Sequence, residues 1–295
     1  MRVLVIGSSG FVGSRILRSL QSSGIDAIGT SRNSSNNLDC IKFDIRNYET
    51  DFRALGITHV VLSASITNYA ECETNPESKL INTKLIPELV LKLLNLKISV
   101  NYISSNTVFG GNKPWPDEIS EVSKELNFQY ALQKQSAETY ITLRAKSDNC
   151  SELLRITRLT KVVNCDVAPF PSWYVSLRNG EKVKPFSDLI FAPITLDYAA
   201  LNIVEITKSD YYGIFHLSGA QNVNYYDFCL MLARKLRFDS KLISPTNSLA
   251  AGVRIPFLPE FSGLSMTRTT KLLGIIPQTI EEVVTYLEEG FNVYN

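Results

Sequence analysis

With 295 residues, 44% of them apolar, the chain has the length and composition of a folded globular protein rather than a disordered one. Thirty basic and 29 acidic side chains leave a net charge of +1, which gives no overall electrostatic reason to expect nucleic acid or an anionic membrane as a partner. No segment approaches the roughly 18 apolar residues of a membrane span, and the N-terminus lacks a secretory signal. From these two observations we expect a cytoplasmic protein. The five cysteines are scattered and form no Cys-x-x-Cys pair, so we expect neither a disulfide framework nor a metal site.

The first 160 residues alternate short apolar runs with stretches in which apolar residues recur at helical spacing. This alternation is typical of a parallel sheet with helices on both faces. Pro87 lies inside one predicted helix and should kink it or mark a restart. The predicted strands are residues 1–6, 26–30, 40–43, 59–64, 98–104 and 152–159. A first helix is predicted from about residue 11, and two further helices at 80–94 and 122–145. A polar loop is predicted at 33–37.

Beyond about residue 160 the pattern is less regular, because shorter elements are separated by the turn dipeptide Asn179-Gly180 and by Pro169, Pro171, Pro185 and Pro193. We predict a strand at 214–218 and helices at 225–236 and 280–289. The sequence therefore predicts a main domain over residues 1–160, whose sheet is completed by about 194–220, and a smaller lobe built mainly from residues 161–295.

A glycine-spaced turn joins the first predicted strand to the first helix. Such a turn gathers backbone amides and the positive end of a helix at one point, where a diphosphate can bind. Gly7 would make the turn tight, Gly10 would let the backbone approach the phosphates, and Gly13 would let the helix pack closely on the strand. The spacing is Gly-x-x-Gly-x-x-Gly rather than the Gly-x-Gly-x-x-Gly dinucleotide fingerprint, so an ordinary structural turn is the alternative.

Hydroxyl and amine groups follow the fifth predicted strand. Ser105, Asn106 and Thr107 come at its carboxyl end, where ligand sites of such sheets lie. Tyr130 and Lys134 share one face of the next helix, so the ammonium can favour ionisation of the phenol. Such a tyrosine can donate or accept a proton near neutral pH. A Tyr-x-x-x-Lys pair also arises by chance, and its weight comes from its place after the glycine turn and the serine.

Together these features resemble the extended short-chain dehydrogenase/reductase superfamily, and within it the branch of dTDP-4-dehydrorhamnose reductase and other nucleotide-sugar enzymes. The Gly-x-x-Gly-x-x-Gly spacing is the form that this superfamily uses. The resemblance covers essentially the whole chain, and it implies an α/β fold with a Rossmann-type doubly wound parallel sheet and a smaller C-terminal substrate-binding lobe. It is also carried by Asp44-Ile45, Leu62-Ser63-Ala64, Asn75-Pro76 with Asn82, and residues 158–162, 186–188 and 192–193.

The resemblance implies a role for each site position. Tyr130 would be the general acid, Lys134 would lower its pKa and bind the nicotinamide ribose, and Ser105 would hydrogen-bond the substrate carbonyl. Asn106 and Thr107 would also contact the substrate. The residues implied to contact the cofactor are Gly7, Ser9, Gly10, Phe11, Val12, Gly13, Ser31, Arg32, Asp44, Ile45, Leu62, Ser63, Ala64, Tyr130 and Lys134.

Departures from the superfamily pattern narrow the reaction. Dehydratases follow the catalytic hydroxyl with an acid pair, whereas this chain has Asn106 and Thr107, which disfavours elimination of water. The reductases themselves often carry an acid where Asn106 stands. Relatives that epimerise beside a ketone before reducing it need a cysteine at position 107 and a pocket histidine. The histidines of this chain, His59 and His216, lie in strand contexts, and we interpret both as structural.

The end of the second predicted strand indicates which cofactor is preferred. An acid there accepts a hydrogen bond from the ribose 2′-hydroxyl of NAD, whereas an arginine accommodates the 2′-phosphate of NADP. The chain has Ser31 and Arg32 and no acid at this point, so we expect NADP(H) to be preferred over NAD(H), with Arg32 on the phosphate and Ser31 assisting. The alternative for Arg32 is a solvated loop charge.

The sequence thus predicts NADPH-dependent reduction of a keto group on a nucleotide-activated deoxysugar, an activity of polysaccharide biosynthesis. The alternatives are a nucleotide-sugar 4-epimerase and a non-catalytic regulatory subunit that binds NADP. The predicted partner is a nucleotide sugar, with no nucleic acid, membrane or metal, and the resemblance is compatible with a homodimer. Trp173 and Tyr174 lie where a base could stack, but we interpret the pair as packing residues.

Overall fold

The computed structural model describes residues 1–32 and 40–293, and the polar loop predicted at 33–37 lies outside them. The strands are β1 (Arg2–Ile6), β2 (Asp26–Ser31), β3 (Cys40–Lys42), β4 (His59–Leu62), β5 (Ser99–Ser105), β6 (Leu154–Leu159), β7 (Val162–Val163), β8 (Ile190–Phe191), β9 (Ile194–Thr195), β10 (Gly213–Leu217) and β11 (Val223–Asn224). The helices are α1 (Phe11–Ser22), α2 (Tyr69–Thr74), α3 (Pro76–Leu80), α4 (Ile86–Asn95), α5 (Gln129–Ser147), α6 (Phe170–Arg178), α7 (Leu196–Lys208), α8 (Tyr225–Lys235), α9 (Thr267–Leu273) and α10 (Ile280–Val293). Over the two described ranges, no helix is long and apolar enough to cross a membrane.

Seven strands form one sheet in the order β10-β6-β5-β4-β1-β2-β3, and every neighbouring pair is parallel. Val5 of β1, for example, pairs with Gly29 of β2 on one side and Val61 of β4 on the other. The chain builds outward from β1 in one direction and then returns to build in the other, so the order reverses between β1 and β4. In such sheets ligands bind at the carboxyl ends of the strands next to this reversal. The predicted Rossmann-type α/β fold is confirmed.

Helices cover both faces of the sheet because its strands are apolar on both sides. On one face Leu62 and Tyr102 pack against Leu89 of α4 and Ile141 of α5. On the other face Val5 and Phe215 pack against residues of α1 and α7. These two cores fix the positions of the strand ends from which the site is built.

A smaller lobe has a core of its own beside the carboxyl end of the sheet. Phe170, Trp173 and Phe228 are buried there with residues of α10. Two short two-stranded sheets, β8 with β11 and β7 with β9, connect this lobe to the main sheet. Strand β10 joins the main sheet beside β6, and helix α7 packs against α1, so parts of the chain after residue 190 belong to the sheet layer.

Two predicted helices differ from the observed ones for identifiable reasons. The helix predicted at 122–145 begins at Gln129, because Phe128 has extended backbone immediately before α5. The helix predicted at 80–94 contains a π-helical turn at Ile81–Leu85 and restarts as α4. Pro87 lies in the first turn of α4, where its missing amide hydrogen breaks no intrahelical bond.

Candidate active site

Two cavities meet at the carboxyl ends of the central strands. The glycine-turn cavity, about 490 Å³ in volume, is lined by Gly7, Gly10, Arg32, Asp44 and Ala64 among others. The hydroxyl cavity, about 430 Å³ in volume, is lined by residues of β5, α5, the lobe and the segment 255–262. The two share a wall made of Ser63, Ser65 and Thr67. A single elongated ligand can therefore extend from one cavity into the other.

The glycines make the turn between β1 and α1 compact. Gly7 has a φ angle of +94°, and a Cβ atom there would lie 2.6 Å from the backbone nitrogen of Ala64. A Cβ atom on Gly13 would lie 2.2 Å from the carbonyl oxygen of Gly7 and 2.5 Å from the Oγ of Ser63. The amide of Gly10 donates to the carbonyl of Gly7 at 3.0 Å, which closes the turn. Only glycine fits at positions 7 and 13 without a shift of the backbone.

The N-terminus of α1 opens onto the junction of the cavities. No side chain caps its first turn, and that turn contains no acidic residue. The first amide hydrogens of a helix have no partner within the helix, and its dipole favours an anion there. Ser9 and Gly10 line the glycine-turn cavity, and Phe11 and Val12 line the hydroxyl cavity. This donor set fits the diphosphate of a dinucleotide.

Charged groups form the far rim of the glycine-turn cavity. Arg46 donates to an oxygen of Asp44 at 2.9 Å and to an oxygen of Glu77 at 2.9 Å, so it links the residues after β3 to α3. The hydrogen bonds that Arg46 donates to Asp44 lower the pKa of this carboxyl to about 2, and the charge of Arg32 acts in the same direction. Arg32 itself is exposed and lines the cavity directly after β2.

Ser105, Tyr130 and Lys134 all line the hydroxyl cavity. Ser105 ends β5, and its Oγ accepts a hydrogen bond from the amide of Thr107 at 3.2 Å and donates to the Asn106 side chain at 3.3 Å. Tyr130 is the second residue of α5, its side chain is buried, and it lines the same cavity as Ser105. The alignment of β5 with the start of α5 thus brings the two hydroxyls together.

The pKa values of this group differ from the sequence-based expectation in one respect. Burial raises the pKa of Tyr130 above its ordinary value and outweighs the opposite effect of the nearby Ser105 side chain. Burial also lowers the pKa of Lys134 to about 8, although Glu138 partly opposes this. The Lys134 ammonium donates to the Tyr102 hydroxyl at 3.3 Å and to a backbone carbonyl of β5 at 3.0 Å. The expected lowering of the Tyr130 pKa by Lys134 is therefore absent from this arrangement, because the ammonium is bonded elsewhere and desolvation dominates.

Most of the other predicted contact residues are near the cavities. Ile45 lines the glycine-turn cavity, and Asn106 and Thr107 line the hydroxyl cavity. The Asn106 amide donates to the carbonyl and hydroxyl of Ser262 at 2.8 Å and 3.1 Å, which ties β5 to the segment 255–262. Gly13 and Leu62 are buried behind the walls, and Ser31 is not among the lining residues.

The predicted stretch around Asn82 positions the shared wall of the cavities. The side-chain Oδ1 of the buried Asn82 accepts hydrogen bonds from the Ser65 hydroxyl and the Ile66 backbone amide, each at 3.0 Å. The side-chain Nδ2 of Asn82 donates to the Ile66 backbone carbonyl at 2.8 Å. These bonds hold the loop that follows β4 in place beside both cavities.

Sequence reasoning missed several lining residues. The ring of Tyr69 lies 5.3 Å from that of Tyr130, and Phe257 stacks on Phe128 at 4.7 Å beside them. Tyr225 comes from the lobe, and Lys161 follows β6. Lys161 belongs to the stretch 158–162 that carried the family resemblance, which is the one signal available for it. Tyr69, Phe257 and Tyr225 had no signal, since single aromatic residues far apart in the sequence do not announce a common cavity.

The remaining candidates are structural in this arrangement. Arg158 forms a buried ion pair with Glu138 at 2.6 Å. His216 is fully buried, and its Nδ1 lies 2.9 Å from the Ser265 carbonyl. Burial and the charge of Arg158 lower the pKa of His216, so it stays neutral. His59 contacts the Thr58 hydroxyl at 2.9 Å.

The aromatic pair of the lobe also packs internally. The Trp173 ring lies edge-on to Phe170 at 5.6 Å, and the Tyr174 ring stacks on Phe291 at 4.4 Å. Trp173 is buried in the core of the lobe and lines neither of the two cavities. Both rings are therefore used for packing, as the sequence-based interpretation favoured.

Comparison with known proteins gives matches along the whole chain. The family model described as RmlD substrate binding domain matches residues 1–291. The probable low-salt glycan biosynthesis reductase Agl14 of Haloferax volcanii is 25% identical, with 100% of both chains covered. A dTDP-4-dehydrorhamnose reductase structure from Clostridium acetobutylicum is similar with a TM-score of 0.81 at 20% identity, covering 100% of this chain and 99% of its own. One from Bacillus anthracis in complex with NADP has a TM-score of 0.79 at 16% identity, covering 99% and 98%. At these identities the solved structures show the fold, and the family match confirms the resemblance inferred from the sequence.

Proposed function

The chain belongs to the RmlD substrate binding domain family and is an NAD(P)-dependent oxidoreductase of the extended short-chain type, and we propose that it reduces a keto group on a nucleotide-activated deoxysugar with NADPH. One observation carries the proposal. Ser105, Tyr130 and Lys134 together line a cavity of substrate size, which shares a wall with a glycine-turn cavity that fits a dinucleotide. This arrangement lets a cofactor and a carbonyl compound meet at one hydroxyl pair.

The glycine-turn cavity is proposed to bind a nicotinamide dinucleotide. The amides at the start of α1 would hold its diphosphate, and Asp44 and Ile45 would border its adenine end. Similar solved structures hold NADP or NAD, so the class of cofactor has support from several relatives. When bound, the nicotinamide would supply the hydride, and the protein would supply orientation and a proton.

Tyr130 is proposed as the proton donor. Because burial raises its pKa, its phenol stays protonated at neutral pH and can give its proton to the carbonyl oxygen as the carbonyl carbon is reduced. The Ser105 hydroxyl, which lines the same cavity, would hold the same oxygen. Lys134 would anchor the nicotinamide ribose and keep the polar end of β5 in place through Tyr102. The alcohol product then leaves, and the phenol regains a proton from solvent.

The lining of the hydroxyl cavity favours reduction over dehydration. Elimination of water needs an acid and a base beside the ketone, yet none of the cavity's lining residues, all of them in the described part of the chain, is Asp, Glu, Cys or His. The Asn106 amide that replaces an acid is held by Ser262. A ketone can be reduced with only the Ser105 and Tyr130 hydroxyls at its oxygen.

NADP(H) is proposed over NAD(H) because of the charge at the end of β2. Arg32 is exposed at the cavity where the adenosine ribose of a dinucleotide would lie, and β2 itself ends without an acid. Some relatives of the same fold hold NAD, so the preference has to be measured on this protein. A cytoplasmic location and a homodimer stay predictions.

The proposed function is tested by nicotinamide absorbance. The protein is mixed with NADPH, and in parallel with NADH, and with TDP-, UDP-, GDP- and CDP-linked 4-keto-6-deoxysugars. Oxidation of NADPH by one of these substrates is the expected result, and it identifies the nucleotide. Tight binding of the cofactor without oxidation would reject the reductase and favour a 4-epimerase or a regulatory subunit.

A further inference from the structure

Lys161 is an uncompensated cation inside the hydroxyl cavity. It follows β6 between Thr160 and Val162, and all three residues line the cavity. Within residues 1–32 and 40–293, no carboxylate pairs with its ammonium and no acceptor is hydrogen-bonded to it. The ammonium reaches solvent through the open cavity, yet the surrounding protein desolvates it enough to lower its pKa. A cation in this position gains stability from an anionic partner.

Lys161 differs in this respect from Lys134, the other lysine of the cavity. The Lys134 ammonium is buried and bonded to Tyr102 and to the β5 backbone, so its donors are largely used. Lys161 has all three donors available. The lining residues include no Asp or Glu, so no carboxylate of the cavity wall would compete with an anionic ligand for this ammonium.

Two further groups of the same cavity lack hydrogen-bond partners. The buried hydroxyl oxygens of Ser104 and Thr107 have none among the described residues, and both residues line the cavity. Buried polar atoms in folded proteins are almost always hydrogen-bonded. The wall opposite the lobe is therefore polar and incompletely satisfied by the protein, as expected of a surface completed by an oxygen-rich ligand.

We propose that Lys161 is a specificity-determining residue that binds an anionic oxygen of the substrate, away from its keto group. The inference rests on the proposed function, since it takes the hydroxyl cavity to be the substrate site. The anionic oxygen is either a carboxylate on the sugar ring or an oxygen of the nucleotide diphosphate. Both place the ring between Lys161 and the hydroxyls of Ser105 and Tyr130. The residue would thereby select substrates that carry a negative charge at this distance.

Direct binding distinguishes these sources without requiring turnover. Calorimetric titrations of the NADPH-loaded protein use TDP, UDP, GDP and CDP, together with UDP-glucose and UDP-glucuronic acid. The last two differ only in that a carboxylate replaces the hydroxymethyl group of the sugar. Lys161→Met is compared with Lys161→Arg, which keeps the charge, and with Lys182→Met, an exposed lysine of the lobe that lines neither cavity. Loss of a charged hydrogen bond should weaken binding by about tenfold or more in Lys161→Met.

Each outcome bears on the proposal. Weaker binding of a nucleoside diphosphate by Lys161→Met, with recovery in Lys161→Arg, assigns the contact to the diphosphate. A loss confined to UDP-glucuronic acid assigns it to a ring carboxylate. Affinities equal to those of Lys182→Met, or a wild-type protein that binds none of these anions, overturn the proposal. Because no NADPH oxidation is needed, a protein that binds these ligands but reduces none of the keto sugars contradicts the proposed function and leaves the role of Lys161 standing.

Discussion

The two cavities are built by different parts of the polypeptide. At its glycine turn, the glycine-turn cavity has a wall of backbone, with Gly7 packed directly on Ala64, and charged side chains form the far rim. The hydroxyl cavity is formed by side chains that come from β5, α5, the end of β6, the lobe and the segment 255–262. A backbone-built surface recognises a group that many ligands share, whereas a side-chain-built surface can change with every substitution. We therefore expect the proposed diphosphate site to constrain the glycine spacing, and substrate choice to depend on single residues such as Lys161.

Tyr130 belongs to the second kind of surface, so its loss should separate chemistry from cofactor binding. Tyr130→Phe removes the proton donor but keeps the ring that packs on Tyr69. We expect turnover of the keto substrate to fall by about 10²- to 10⁴-fold while the affinity for NADPH stays nearly unchanged. Steady-state rates and a fluorescence titration of NADPH measure the two quantities.

Tyr140→Phe is the matched control, because Tyr140 lies on the same helix with its side chain exposed. Its rates should equal those of the wild type. Substantial activity in Tyr130→Phe would show that the proton comes from another group.

Lys134 should make the stability of the protein depend on pH. Its pKa is about 8 in the folded state and roughly 10.4 in an unfolded chain, so between these values only the unfolded state holds the proton. The free energy of unfolding should therefore rise with pH in this window and be independent of this group below about pH 8. The full change is about 3 kcal/mol, at roughly 1.4 kcal/mol per pH unit.

Urea denaturation at pH 7, 8, 9 and 10 tests this by comparing the wild type with Lys134→Met, which should lack this component of the slope. Lys146→Met, with an exposed lysine on the same helix, should keep it. Parallel pH curves for the wild type and Lys134→Met would rule out a depressed pKa for this ammonium.

A substitution at Gly13 tests whether the glycine turn between β1 and α1 forms the diphosphate site. In Gly13→Ala the new Cβ would lie 2.2 Å from the Gly7 carbonyl oxygen, so α1 must move away from the turn. We expect a loss of stability of about 1–3 kcal/mol, measured by thermal denaturation, together with weaker NADPH binding. Ser22→Ala, on the exposed end of α1, should leave both unchanged. An unchanged affinity in a destabilised Gly13→Ala protein would mean that the turn does not form the diphosphate site.

The same contrast explains how far the sequence could predict the molecule. The alternation of strands and helices and the glycine turn were predictable because each depends on residues close together in the chain, as the contact between Gly7 and Gly13 shows. Ser105, Tyr130 and Lys134 were found through family spacing. The bonding of Lys134 to Tyr102 was not predictable, since it depends on how α5 lies on β5. Phe257 and Tyr225 were missed because tertiary packing alone brings them to the cavity.

Substitution of Arg32 should have the smallest of these effects, because Arg32 is an exposed side chain at the rim of the glycine-turn cavity. Asp44, the carboxylate whose charge acts on Arg32, is already hydrogen-bonded by Arg46, and none of the ion pairs among the described residues involves Arg32. Its guanidinium can therefore serve the 2′-phosphate that distinguishes NADPH from NADH. For an exposed contact of this kind we expect Arg32→Ala to weaken NADPH binding by about tenfold and NADH binding hardly at all. The salt dependence of NADPH affinity should also decrease.

Arg18→Ala, which replaces an exposed arginine of α1 away from both cavities, serves as the control. Equal losses for the two cofactors would mean that Arg32 contributes only general positive charge, and that cofactor choice, like diphosphate binding, depends on the backbone.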